Sequence, residues 1–133
     1  MFNLGEIKVA IAGVGNCASS LIQGLYYYQK EGNSLGLLHD ELAGYKIGDI
    51  KIVAAFDIDE NKIGKDVAEA IFASPNKAPK VVEVKNTGVK VQMGPAPDTF
   101  GELTMSEIKK ANEEPVDICK TLKESGAQIL LKV

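Results

Sequence analysis

At 133 residues, 45% apolar and 25% charged, the chain has the make-up of one globular domain that buries roughly two-thirds of its unfolded surface. A net charge of −3, with lysines and acids interspersed, gives no basic field, so nucleic acid and membrane are not expected as partners. Cys17 and Cys119 stand far apart with no metal spacing, and no signal peptide or bilayer-length apolar run is visible; the expectation is a cytoplasmic protein without a disulfide framework or metal site.

Residues 7–12, β-branched and alanine without a turn former, predict the first strand, and residues 15–30 the first helix. Between them stands Gly13-x-Gly15-x-x-Ala18, the spacing of a dinucleotide-binding turn. Gly13 permits the sharp turn, Gly15 lets backbone approach a pyrophosphate, and Ala18 lets the helix lie close on the strand. The free N–H groups and dipole of the helix start then face the phosphates. Ala18, Leu21, Ile22 and Leu25 recur at helical spacing and predict the face laid on the sheet. Tyr26, Tyr27 and Tyr28 read as packing and helix-end surface. Cys17 lies near a helix N-terminus, where a thiolate is favoured, but without an evident base it reads as a small filler.

Residues 31–49 form an insertion with turn formers and no sustained period. His39, the one histidine, makes no triad with a nucleophile and a carboxylate and reads as a surface residue. Residues 50–56 are a near-continuous apolar strand suited to the interior of a parallel sheet, and they deliver Asp57 at its carboxyl end. An acid there accepts hydrogen bonds from the adenosine ribose. Asp59 reads as the N-cap of a helix over 60–72 that buries Ile63, Val67 and Ile71. An acid at position 57 repels a 2′-phosphate, and the chain has no arginine to accept one, which favours NAD over NADP; Lys62 is the cation left for a phosphate.

Residues 73–80 are a loop by composition. The β-branched runs 81–84 and 89–93 are either a hairpin or a connection into the third parallel strand; the strand is placed at 89–93. The loop 94–101 either covers the nucleotide or is a plain connector. Thr104 to Glu107 is a capping box that starts a short helix. Pro115 suits the first position of a helix over 115–125 that buries Val116, Cys119 and Leu122 and ends at Gly126. Residues 128–133 are the fourth strand, left as an apolar edge. The expected fold is therefore α/β, a Rossmann-like doubly wound parallel sheet that is incomplete, with four strands in the order 3-2-1-4 and residues 1–133 as one domain.

The runs Val9-Ala-Ile-Ala-Gly-Val-Gly-Asn-Cys-Ala-Ser-Ser20, Ala54-Ala-Phe-Asp-Ile-Asp59, Ala70-Ile-Phe-Ala-Ser74, Val91-Gln-Met-Gly-Pro95 with Asp98, and Glu114-Pro-Val-Asp117 resemble myo-inositol-1-phosphate synthase of the bacterial and archaeal type. The resemblance implies an NAD-dependent isomerase that converts glucose 6-phosphate to inositol 1-phosphate for inositol and phospholipid biosynthesis, by oxidation, enolisation, aldol closure and reduction. By matching position it implies nucleotide contacts at Gly13, Gly15, Asn16, Cys17, Ala18, Ser19 and Asp57. It also implies a second, catalytic and tetramerisation domain whose positions this chain does not contain, so no catalytic residue is assigned and no turnover by this chain alone is expected. The alternatives are the NAD-binding segment of such a synthase, or a stand-alone NAD-binding or interaction module. The edge strand at 128–133 is where a C-terminal partner chain or a second copy is expected to add. Another NAD-linked oxidoreductase, such as a homoserine dehydrogenase-like protein, is the third reading.

Overall fold

The computed structural model describes residues 5–30, 32–96 and 108–133. In chain order the described elements are β1 (Ile7–Ala12), α1 (Asn16–Tyr28), β2 (Glu41–Leu42), β3 (Tyr45–Lys46), a 3-10 turn (Ile47–Asp49), β4 (Ile50–Asp57), α2 (Val67–Ala70), β5 (Val91–Met93), α3 (Ile118–Ser125) and β6 (Ile129–Lys132). The order in the main sheet is β5-β4-β1-β6, with every pairing parallel. Counted among the long strands this is 3-2-1-4, the expected half of a doubly wound sheet.

The apolar runs of β1 and β4 are buried on both faces, as parallel strands covered by crossovers must be. Alternation divides them. Val9 and Ile11 of β1 and Ala55 of β4 join Val14, Ala18, Ile22, Val67, Ala70 and Ile71 in one cluster, while Ala10, Ala54 and Phe56 face the opposite side. That second side meets Val116, Ile118, Leu122 and Ala127, all partly buried. The β1–β4 register slips between Val9 and Ala10, which passes over Val53.

Several sequence expectations change in three dimensions. Leu21 is 37% exposed, and the edge of α1 that turns inward instead carries Ser19 and Gln23. Gln23 earns that place by holding a neighbouring segment: its Nε2 donates to Pro79 O (3.1 Å) and its Oε1 accepts from Val81 N (2.8 Å). The helix expected over 60–72 is two pieces. Asp59 caps a turn, with its Oδ1 accepting from Asn61 N, and only Val67–Ala70 is helical, capped by Asp66. The break lies at Gly64, φ +82°, where the backbone is drawn into pairing with the third strand: Gly64 N donates to Val91 O, Val91 N to Lys65 O, and Val67 N to Val89 O. Long-range strand hydrogen bonds thus displace local helix, although Val67 and Ile71 are buried as expected.

Asp66 closes this region. Its carboxylate accepts from Ala68 N, Thr87 N, Thr87 Oγ1 and Gly88 N, all within 3.0 Å. Burial raises its pKa, but these hydrogen bonds to the charged form outweigh that and hold it below the ordinary aspartate value. Residues 81–84 form no strand, so the third strand follows a connection rather than a hairpin.

The last helix begins later than expected. Val116 N donates to Met93 O, and Asp117, not a residue before Pro115, caps the helix by accepting from Lys120 N. Ile118 and Leu122 then face the sheet, which leaves Cys119 exposed rather than in a buried stripe. Gly126 ends the helix in the left-handed conformation as expected, φ +71°. The insertion holds a small hairpin, β2 with β3, whose two-residue loop Ala43-Gly44 has both φ values positive. His39 within it is exposed. The capping box at 104–107 and residues 97–101 of the preceding loop lie outside the described residues. No described helix is long and apolar enough to cross a membrane.

Candidate functional site

The turn between β1 and α1 stands at the carboxyl ends of the strands, where open α/β sheets bind ligands. Gly13 takes φ +100° and donates its N–H to Phe56 O at 2.8 Å; a Cβ there would lie 2.5 Å from the carbonyl oxygen of Val133. Close approach, as well as the positive φ, requires glycine at this position. Gly15 differs: among the described residues a Cβ added to it meets nothing within 4 Å, so the space beside it is open to them. It is the N-cap of α1, with no side-chain cap and no acid in the first turn, and the first intrahelical bond here runs from Ser19 N to Gly15 O. The N–H groups of Asn16, Cys17 and Ala18 therefore have no acceptor within the helix.

The seven residues expected to hold a nucleotide divide by environment. Gly13 and Asp57 line a cleft of about 670 Å³ whose other walls include Phe56, Gly94, Ile118 and Leu130. That volume suits a small-molecule site. Gly15, Asn16 and Cys17 form the turn and the exposed start of α1, whereas Ala18 and Ser19 are wholly buried. Ser19 Oγ accepts from Gln23 Nε2 (3.2 Å) within the protein. Asn16 Oδ1 accepts from Lys77 N (2.6 Å) and Ala78 N (2.9 Å), so its side chain straps the segment after Pro75 to the turn.

Asp57 is half-buried, and its three hydrogen-bond partners among the described residues are backbone amides: Val14 N on Oδ2 (2.7 Å), and Ile58 N (2.7 Å) and Asp59 N (3.0 Å) on Oδ1. It thereby ties the end of β4 to the glycine turn. A carboxylate has about four lone-pair sites, so three bonds leave Oδ2 able to accept one more. Lys62, the cation left for a phosphate, is 2% exposed and directed to Asn76 Oδ1 (3.0 Å) and Asp59 Oδ2 (3.8 Å), so it does not reach the cleft mouth as a free charge.

Asn76 is the site residue that sequence reasoning missed. Its Nδ2 donates to Val14 O and Ile71 O, both at 3.0 Å. Its contacts with the turn span 62 positions, and only its setting between Pro75 and Pro79 marks it locally as part of a stiffened loop. A hollow of about 790 Å³ lies at the far end of α1, between Tyr28 and Asp49, away from the glycine turn. Among the described residues no group of three or more His, Cys, Asp or Glu is placed to hold a metal.

No protein-family model matches the chain. In sequence it is 46% identical over 130 residues to inositol-3-phosphate synthase of Mycolicibacterium smegmatis, covering 96% of this chain and 36% of that protein. It is 46% identical over 129 residues to the inositol-3-phosphate synthase of Mycobacterium tuberculosis (95% and 35%) and 44% identical over 128 residues to that of Corynebacterium glutamicum (94% and 35%). The chain thus spans about a third of the length of these relatives. Among solved structures it is similar to the crystal structure of Ari2, with a TM-score of 0.75 at 29% identity over 96% of this chain and 37% of that one. It also shares its fold with a myo-inositol-1-phosphate synthase-related protein from Thermotoga maritima, with a TM-score of 0.67 at 22% identity over 96% and 34%.

Proposed function

We propose that this chain, which is related to the inositol-phosphate synthases along nearly all of its length, binds NAD as the cofactor-binding segment of such an enzyme. The observation that carries the reading is the start of α1, which has no side-chain cap, beside a Gly15 whose missing Cβ leaves open space among the described residues. The pyrophosphate lies over Gly15 and the first-turn amides of Asn16 and Cys17. Asp57 Oδ2, holding Val14 N on one side, accepts a ribose hydroxyl on the other. Gly13 and the buried Ala18 shape the turn without touching charge. The preference is for NAD over NADP, because the sequence has no arginine and Lys62 is committed to the interior.

When bound, NAD would supply reversible hydride transfer, and Gly15, Asn16, Cys17 and Asp57 would hold it for that chemistry. This chain's share is binding and orientation. Among the described residues that line the cleft only Asp57 and Lys132 carry ionisable side chains, which leaves the aldol chemistry to other residues.

Calorimetric titration with NAD tests the reading. Gly15→Val, which places a branched side chain in the open space, is expected to abolish binding, and Asp57→Ala to weaken it on the order of tenfold, the worth of one hydrogen bond to a charged group. Unchanged affinity in Gly15→Val overturns the assignment. A second reading, an interaction module that pairs through its sheet edge, rests on the half-exposed Ile129 and Leu130 of β6. A chain that ignores NAD yet self-associates in sedimentation would favour it.

A further inference from the structure

Behind the glycine turn lies a polar cluster in an otherwise apolar core. Asp59 is fully buried and Lys62 is 2% exposed, although Val14 and Ile71 beside them are among the most buried apolar residues. Desolvating two charges is costly, and their separation of 3.8 Å is too long for a hydrogen bond. Asp59 Oδ2 is the one buried side-chain polar atom among the described residues without a hydrogen-bond partner. Such a pair is weak as a device for stability. What it does make is one directed contact, from Lys62 Nζ to Asn76 Oδ1.

Asn76 passes that contact on. With its oxygen on an ammonium, its amide is polarised and its N–H groups become stronger donors. One holds Ile71 O, and the other holds Val14 O. Val14 is therefore clamped on both sides, its N–H by Asp57 at 2.7 Å and its C=O by Asn76 at 3.0 Å. In a trans peptide the C=O and the following N–H point in opposite directions. Fixing Val14 C=O on Asn76 thus turns Gly15 N–H away from Asn76. If this peptide rotated, a carbonyl oxygen would replace an N–H on the face meant for an anion.

We infer that Lys62, acting through Asn76, is a positioning residue that sets the Val14–Gly15 peptide so that Gly15 N–H meets the pyrophosphate of the dinucleotide. The inference rests on the NAD reading above and adds a part to it: affinity for the diphosphate is set by residues that never touch it. The strap from Asn16 to Lys77 and Ala78 holds the segment that carries Asn76 against the same turn.

Two variants test this in the intact chain. Asn76→Asp keeps the side-chain shape and the acceptor for Lys62 but has no donor for Val14 O. The double variant Asp59→Asn with Lys62→Met removes both charges together, so that neither is left alone in the core. Each is titrated with NAD, with ADP-ribose and with adenosine, which lacks the pyrophosphate, and the Gly15 amide is followed by NMR in the free protein. The expected result is a loss of about tenfold or more for NAD and ADP-ribose, that of a hydrogen bond to a charged oxygen, with adenosine unchanged and the Gly15 amide resonance displaced. Equal loss for all three ligands, or no loss in a folded variant, overturns the positioning role while leaving the NAD reading intact. If one variant fails to fold, the other decides. An unmodified chain that binds neither NAD nor ADP-ribose overturns the NAD reading itself, and the positioning role with it.

Discussion

On one face of the sheet Val9, Ile11 and Ala55 are sealed beneath α1, α2 and Val14, in a cluster of ten buried residues; on the other, Ala10, Ala54 and Phe56 meet only partly buried side chains. The eight-residue α3 contributes no buried residue at all, whereas four-residue α2 contributes Val67 and Ala70. Polar fasteners follow the same division. Gln23, Asp66 and Asn76 each bind backbone of a distant segment on the well-covered side. Among the described residues, then, the glycine turn is held by one face, and the cleft opens beside the other. A binding loop that must hold its amides in fixed directions rests on the part of the molecule least able to rearrange.

The largest expected effect sharpens this contrast. Ile71→Ala, in the fully buried cluster, should cost about 2–5 kcal/mol in denaturant unfolding, against about 1 kcal/mol for Leu122→Ala on the half-covered face. Equal losses would break the comparison.

Next comes Asp66. Replacing it by alanine strands the N–H groups of Ala68 and Thr87, whereas Gly88 N keeps Asn86 Oδ1 and Thr87 Oγ1 keeps Val89 O; the expected loss is about 1–3 kcal/mol. Because its folded pKa is depressed, its contribution is complete above the ordinary value of 3.8 and is lost as the pH falls through that value towards the lower folded one. The difference in stability between the unmodified chain and Asp66→Asn should therefore shrink in that acid window, as thermal melts across pH would show; a constant difference contradicts the assignment. The smallest effect is expected at the open edge, where Leu130 is 48% exposed: Leu130→Lys should alter stability by no more than about 0.5 kcal/mol.

Much of the well-covered face was legible in the sequence. β1, the glycine turn and α1 are consecutive, so a period of two, a turn and a period near 3.6 describe them without knowledge of the rest. The strand order also follows, because right-handed crossovers leave few alternatives. Residues 60–72, expected as one helix, fold differently for a definite reason. Ile63, Val67 and Ile71 share a helical spacing and do face the core, but Gly64 lets the chain leave helix and pair with 89–91, a contact that local spacing does not encode. At Cys119 the helix start decided the outcome: with Asp117 as the cap, Ile118 and Leu122 take the inward positions.

The same division runs through the candidate site. The sequence by itself determined the glycine turn, the acid at the end of β4 and the absence of arginine, since each is a matter of residue type at a position along one continuous stretch. Only the tertiary structure decided that Asp57 clamps the turn through Val14 N, that Lys62 is spent in the interior and that Asn76 holds the Val14 carbonyl. Those hydrogen bonds join residues separated by up to 62 positions, and their donors and acceptors meet only once the crossover has laid one segment over another.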